Sequence, residues 1–282
     1  RVSNLEKKVG NLYWSGDARM RYQTKDNGTK EDSWNGRMRI DVKGQVNEAT
    51  YVKGRMAYDM DFKDGSKDKG VYMQQLFVNH NFGKDVAVRL GRQPIAFGNQ
   101  GGWLYGDANG YDGAQVSYNN GKLALTTGFG QLNAGKWGGK AASVDKDGYH
   151  DAVSADDVYF AQGAYDFGVA KLNADYIAVK ESNKNDEIYG VGLNVPVQKF
   201  NVFGEYYKNT TEESTYDTAW NAGLSYGKAD WKKVGTWDLS VAYNDVDRGV
   251  YFGGTGLQTD LISTVTKANN VSYWNALANV TL

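Results

Sequence analysis

The 282-residue sequence has no cysteine and only two prolines and two histidines. Without cysteine there are no disulfides, no thiol catalysis and no cysteine-based metal sites, which agrees with an oxidising or external compartment. His80 and His150 lie far apart, and no G-x-S-x-G, H-E-x-x-H or P-loop motif accompanies them. The sequence therefore predicts a protein that is not an enzyme and needs no cofactor.

Long hydrophobic runs are also missing. No segment approaches the roughly 20 apolar residues that a membrane helix needs, and the net charge of −1 gives no sign of a nucleic-acid partner. Glycine and aromatic residues are instead abundant, with 35 Gly, 20 Tyr, 8 Trp and 10 Phe. A transmembrane β-barrel is compatible with this composition, because its apolar residues alternate with polar ones and no window is strongly hydrophobic.

Strict alternation of apolar and polar residues is the main structural signal. One face of the segment Trp14–Gln23 carries Trp14, Gly16, Ala18, Met20 and Tyr22, and the other carries Ser15, Asp17, Arg19, Arg21 and Gln23. Segments 34–46 and 52–62 repeat the pattern. Alternation with a period of two predicts strands, since a helix would mix these residues on every face.

The length of the strands favours a membrane barrel. They run to about 10–13 residues, whereas soluble strands have a mode of about 5–6 and membrane-crossing strands need about 9–11. Short turns alternate with long polar loops, as in outer-membrane barrels. We predict an all-β fold, a transmembrane antiparallel β-barrel over residues 12–282 with about fourteen strands. Both of its ends lie on the short-turn, periplasmic side.

A soluble sandwich or propeller is the alternative fold. Its core would have to bury the charged face, which is costly, whereas a water-filled lumen removes that cost. The apolar face also favours aromatic residues near strand ends, as in the two aromatic girdles of a membrane barrel. The predicted girdle residues are Trp14, Trp34, Tyr58, Tyr72, Tyr176, Tyr189, Trp220, Trp237 and Trp274.

The amino-terminal segment 1–11 does not alternate. Val2, Leu5, Val9 and Leu12 follow the a/d spacing of a heptad. The segment is interpreted as the end of a periplasmic helical stalk, which would suit a trimer. Alternatively, eleven residues are too few to form a coiled coil.

Basic side chains crowd the polar face of the first strands and are candidates for the pore lining. Such rings of charge set pore selectivity. The candidates are Arg19, Arg21, Arg37, Arg39, Lys53 and Arg55, with Arg89 and Arg92 further along the chain. The alternative is that these cations only pair with neighbouring carboxylates, namely Asp17, Asp41, Asp59 and Asp61.

A glycine-rich loop near residues 98–112 is the candidate constriction. Its glycines permit tight folding, and Trp103 and Tyr105 are expected to pack on the inner wall. Asp107 and Asp112 would then face the basic side chains. A second acidic segment, Asp145–Asp157, gives a weak indication of calcium binding in an external loop, because hard cations take carboxylate oxygens.

Val88–Gly98 reads V-R-L-G-R-Q-P-I-A-F-G and resembles the fifth strand and constriction loop of general trimeric porins. The resemblance implies that Arg92, within Gly91-Arg92-Gln93, faces the pore. Alternation instead groups Arg89 with Gly91 and Gln93, which leaves open which arginine points inward.

The heptad-like start that runs directly into the first strand is similar to the OmpM-type porins of diderm Firmicutes. That resemblance implies a homotrimer in the bacterial outer membrane, in contact with the lipid bilayer and lipopolysaccharide. It also implies an amino-terminal S-layer homology domain, absent from this chain, that binds peptidoglycan or its linked polymer. The family barrel has about sixteen strands. Because the last residue, Leu282, is not aromatic, we expect further strands, the alternative being a complete barrel of fourteen.

The function predicted from these features is passive diffusion of small hydrophilic solutes and ions through a charged eyelet. The alternative is a structural tether between the outer membrane and the cell wall. A sugar-specific channel would use Phe203 and Tyr207 as a stacking track. An outer-membrane phospholipase or protease is disfavoured, because His80 falls on the apolar face.

Overall fold

The computed structural model describes residues 10–26, 30–132, 157–180, 185–211, 215–250 and 269–282. These residues form fourteen strands and two short 3-10 helices, Gly65–Lys67 and Arg248–Val250. The strands are β1 Leu12–Asp26, β2 Lys30–Gln45, β3 Thr50–Asp61, β4 Lys69–Phe82, β5 Val86–Ala96, β6 Gly106–Asn119, β7 Leu123–Leu132, β8 Asp157–Asp166, β9 Lys171–Lys180, β10 Asn185–Val197, β11 Phe200–Asn209, β12 Thr218–Gly227, β13 Trp237–Asp247 and β14 Asn270–Val280. Within these ranges, no helix is long and apolar enough to cross a membrane.

All fourteen strands belong to one antiparallel sheet and follow each other in chain order from β1 to β14. Each strand pairs with the next along the chain, and the β1–β2 ladder runs without interruption from Leu12–Gly44 to Asp26–Lys30. The predicted all-β barrel fold with about fourteen strands is confirmed. The predicted stalk lies almost wholly outside the described residues, which begin at Gly10.

The ladders assign every side chain to one of two faces, because directly paired residues point to the same side of the sheet. On the outer face, Leu90 is 54% exposed, Phe129 59% and Val191 52%. Soluble proteins rarely leave such a broad apolar surface uncovered. The inner face of β1–β3 carries a dense set of charged side chains, and the loop between β5 and β6 contacts the inner face of β11 and β12.

Aromatic side chains gather at both ends of the outer face. At the long-loop end, the rings of Trp220 and Tyr243 lie 5.3 Å apart. At the turn end, Phe200 and Tyr226 lie 4.8 Å apart. One predicted girdle residue is corrected: irregular pairing between β3 and β4 turns Tyr72 inward, where its hydroxyl donates to Asp59 at 2.9 Å.

The turn ends of most hairpins are short, and several use a residue in the left-handed region, such as Gly83, Gly121 and Gln198. The connection between β12 and β13 is longer, and there the amide of Asp230 donates to the Thr236 hydroxyl at 2.8 Å. At the other end, the predicted calcium segment and His150 lie outside the described residues, except for Asp157 at the start of β8.

The two edge strands of the sheet are β1 and β14. In the part of the chain that the structure describes, β1 pairs with β2 and β14 with β13, and no ladder joins β1 to β14. Since both strands have their free ends on the turn side, they run in opposite directions. Direct antiparallel pairing, or an even number of intervening strands, would close the barrel.

The close contact between β6 and β7 gives a test of the fold. A Cβ at Gly113 would lie 2.1 Å from the Phe129 carbonyl oxygen and 2.7 Å from the Gly130 Cα. Backbone atoms cannot yield as a side chain can, so we expect Gly113→Ala to cost about 1–3 kcal/mol, as in other overpacked sites. The measurement is the thermal unfolding temperature of the refolded protein in detergent.

Gly163→Ala is the matched control for this substitution. Gly163 lies on the outer face, where a Cβ would meet only the Leu125 side chain at 3.4 Å. We expect this variant to unfold close to the wild-type temperature. Equal loss of stability in both variants would contradict the assigned packing of β6 on β7.

Candidate functional site

Cations are concentrated on the inner face of β1–β5. The register places Arg19 opposite Arg37, Asp17 opposite Arg39, and Asp41 opposite Arg55. The complete set of inward cations on these strands is Arg19, Arg21, Lys25, Arg37, Arg39, Lys43, Lys53, Arg55, Lys69 and Arg89. Within the described parts of strands β6–β14, Lys171 is the only cation on this face, and it pairs with Asp166 at 3.3 Å.

Two carboxylates neutralise part of this basic wall. Asp17 forms an ion pair with Arg39, with an Nη2–Oδ2 distance of 2.8 Å. Asp41 forms ion pairs with Arg55, whose Nε lies 2.8 Å from Asp41 Oδ1, and with Lys53, whose Nζ lies 3.3 Å from the same oxygen. Three of the predicted pore-lining cations on β1–β3 are therefore paired with carboxylates, as the alternative interpretation of the sequence expected.

Other cations on the wall have no acidic partner. Arg19, Arg21, Arg37 and Arg89 make no ion pair with any residue the structure describes. Arg89 lies over the ring of Phe77, 4.5 Å from its centroid. Their role in lining a pore remains a prediction.

The predicted inward positions of Arg92 and Asp112 are wrong. Arg92 pairs with Leu76 on one side and with Asp112 on the other, which places both charged residues on the outer face. They form a two-pronged ion pair with distances of 2.8 and 2.7 Å. Arg89 instead points inward, because its register partner on β4 is the inward residue Asn79. Strict alternation therefore predicts this strand correctly, whereas the motif resemblance does not.

The predicted constriction loop is shorter than expected. Strand β6 already begins at Gly106, so the connection spans only residues 97–105. Asp107 and Asp112 belong to this strand, and nothing is described of the Asp107 side chain. Residues 97–105 carry no charged side chain, so this loop does not present acidic groups to the basic wall as predicted.

A buried carboxylate on the far wall anchors the loop. The backbone amide of Gln100 donates to Glu205 Oε1 at 2.8 Å, and the Gln100 side-chain amide donates to Asn221 at 2.8 Å. The neighbouring Asp175 accepts hydrogen bonds from the Asn173 side chain at 2.7 Å and from the Tyr207 hydroxyl at 3.4 Å. The loop is thereby fixed to β11 and β12 through Gln100.

Sequence reasoning missed these anchoring residues. Alternation alone puts Asp175 and Glu205 on the inner face, and glycines stand opposite both of them on β10, namely Gly190 and Gly192. An inward acid that faces a glycine has room to accept a further group. That combination was the available signal, but it does not reveal which segment fills the space.

Aromatic packing completes the attachment of the loop. Trp103 and Tyr105 are buried against Tyr207, with ring centroids 6.3 and 5.2 Å away. The Tyr105 hydroxyl donates to the Val250 carbonyl, and Phe97 packs edge-on against Phe160. Tyr207 is covered, so it cannot serve as an exposed sugar-stacking residue. Within the described residues, the loop therefore packs against β8, β11 and β12.

Comparison with solved structures supports the architecture. The chain is similar to Pseudomonas aeruginosa OccK8 (OprE), with 12% identity, a TM-score of 0.55, and coverage of 89% of this chain and 74% of that one. P. aeruginosa OccD3 (OpdP) is 11% identical, with a TM-score of 0.54 and coverage of 84% of this chain and 57% of that one. A triple mutant of the Rhodopseudomonas blastica porin is 13% identical, with a TM-score of 0.45 and coverage of 86% of this chain and 96% of that one. The chain shares its fold with OccK8 and OccD3.

Comparisons at the level of sequence add nothing further. No protein-family model matches the chain. No curated protein matches it either.

The attachment of the loop can be tested at Gly98, which has a φ of +81°. A Cβ there would lie 2.6 Å from both Glu205 oxygens and from the Tyr207 hydroxyl. We expect Gly98→Ala to displace the loop and to cost more than the roughly 1–3 kcal/mol of a strained backbone position alone. Thermal unfolding in detergent measures the loss.

Gly101→Ala is the matched control, because Gly101 has a φ of +65° but an added Cβ there would have no atom within 4 Å. It carries the backbone strain without the collision. If both variants lose the same stability, the loop is not anchored through the Glu205 carboxylate.

Proposed function

We propose that this chain is the barrel of an outer-membrane porin that allows passive diffusion of small hydrophilic solutes and ions. One observation carries the proposal: a single sheet combines an apolar outer face with a charged inner face, and a loop is anchored inside it. Charged side chains facing inward need water, whereas exposed apolar side chains facing outward need lipid. A water-filled passage narrowed by the loop satisfies both requirements.

The route for solutes lies along the basic wall of β1–β5. Residues 97–105 and the aromatic side chains beneath them occupy the opposite half of the interior. Transport would need no bond-making step, because size and electric field alone select the solute. The similarity of fold to bacterial porins supports this proposal.

The proposal includes a more specific family placement. The heptad-like segment before Leu12 supports an OmpM-type porin, with the amino terminus on the periplasmic side and three copies around a common stalk. Closure to about sixteen strands would pair the free edges of β1 and β14, which no other described strand contacts. Lipid and lipopolysaccharide would surround the outer face.

A structural tether is the second candidate function. The same amino-terminal segment favours it, since a stalk could connect the barrel to a peptidoglycan-binding domain outside this chain. In that case the barrel would act mainly as an anchor. The two functions are compatible.

Conductance distinguishes the two functions. We expect the full-length protein, purified in detergent and inserted into a planar bilayer, to give stable open channels, because the loop occupies only part of the interior. If three copies assemble, each channel unit should close in three equal steps. Single-channel current at fixed voltage is the measurement.

Folded protein that inserts without conducting would contradict the diffusion proposal and leave the tether. Insertion is checked independently by protection of the strands from added protease. Channels that close in single steps would retain the porin proposal and contradict the trimer.

A further inference from the structure

Two arginines face each other at mid-height of the inner wall. Arg19 on β1 and Arg37 on β2 are direct register partners, and Arg21 follows on the same face. Directly opposite side chains in a sheet have Cβ atoms about 4.5–5.5 Å apart, and like charges in these positions repel each other. The fold keeps three guanidinium groups together although their repulsion is unfavourable.

The surrounding charged groups do not relieve this repulsion by ion pairing. Asp17 is already paired with Arg39, and Asp41 with Lys53 and Arg55. Asp59, the register partner of Arg37 on β3, accepts a hydrogen bond from Tyr72. Asp61, at the end of β3, accepts hydrogen bonds from the backbone amides of the turn that follows. Opposite Arg21 stands Asn35, which is neutral.

Two of these arginines also have a buried hydrogen-bond donor without a described partner. Within the described residues, the Nε atoms of Arg21 and Arg37 are buried and have no hydrogen-bond partner. A buried donor without an acceptor is costly, and more so when it carries charge. A bound anion with hydrogen-bond acceptors would reduce the repulsion between the guanidinium groups and accept a hydrogen bond from these Nε donors.

The opposite side of the passage offers no compensating acid. The loop 97–105 is uncharged, and the Asp175 and Glu205 carboxylates beside it are buried. Of the other inward acids beyond β5 whose side chains are described, Asp166 is paired with Lys171, and Asp186 and Asp238 lie near the ends of their strands, away from mid-height. Among the described residues, the level of Arg19 and Arg37 therefore carries positive charge without an acidic partner.

We infer that Arg19, Arg21 and Arg37 form a binding site for small multivalent oxyanions, of which inorganic phosphate is the simplest, and that the channel is anion-selective. The inference rests on the proposed diffusion function. Guanidinium groups present planar pairs of N–H donors that match the oxygens of phosphate, sulfate or carboxylate. A cleft lined by one sign of charge also concentrates counter-ions from solution.

The first experiment uses the full-length protein in a planar bilayer with a potassium chloride gradient, and then adds phosphate to the chloride solution. We expect a reversal potential of the sign for anion preference, and a chloride current that falls as phosphate occupies the site. Arg37→Gln should raise the half-blocking phosphate concentration about tenfold or more. Arg37→Lys should keep the anion preference but bind phosphate more weakly, because an ammonium lacks the two-pronged geometry.

Lys171→Gln is the matched control. It also removes one inward positive charge, but at the turn end of β9, where Lys171 is already paired with Asp166. We expect its phosphate block to equal that of the wild type. Equal weakening in Lys171→Gln and Arg37→Gln would show a diffuse field and overturn the site.

A stability measurement separates this inference from the diffusion proposal. A ligand that binds only the folded state raises the unfolding temperature, so phosphate should stabilise the wild-type protein in detergent and have little effect on Arg37→Gln. Stabilisation without channels would overturn diffusion but retain the site. Open channels with cation preference, or with no response to phosphate in either measurement, would overturn the site but retain diffusion.

Discussion

The antiparallel ladder assigns each side chain of this protein to one of two surfaces, because neighbouring residues along a strand point in opposite directions. A shift of one residue in any strand would exchange its two faces. Thirteen successive ladders keep the same assignment from β1 to β14. The apolar outer surface, the basic inner wall and the inward position of Glu205 all depend on this register. Where the pairing becomes irregular, between β3 and β4, Tyr72 changes face.

The second determinant is the contact between the loop backbone and a buried carboxylate. Asp175 and Glu205 would be unfavourable on a wall covered by aromatic rings if they lacked partners. The Gln100 amide donates to Glu205, and Asn173 and Tyr207 donate to Asp175. Gly98 permits the close approach of the loop, because an added Cβ there would lie 2.6 Å from both Glu205 oxygens. Both carboxylates are thereby buried in the structure that holds the loop in place.

Charge on the basic wall is organised unevenly. Arg39 and Arg55 each form an ion pair with a carboxylate on a neighbouring strand. Arg19, Arg21 and Arg37 stand beside them without an ion pair to any described acid. These three arginines leave positive charge on the inner face that no described acid pairs with. The Arg92–Asp112 pair does not take part in this, because it lies on the outer face.

The sequence by itself determined the strands, their sidedness and their number, since alternation is a local property that each strand displays independently. Alternation also grouped Arg89 with the inward face, although the competing motif left the choice between Arg89 and Arg92 open until the register was known. Tertiary structure decided what depends on distant segments: where the loop ends, that Asp112 pairs with Arg92, and that Glu205 meets Gln100 across the interior. These contacts join residues far apart in the chain, and no local pattern records the curvature that brings them together. For the same reason, only the register between β1 and β2 reveals that Arg19 faces Arg37.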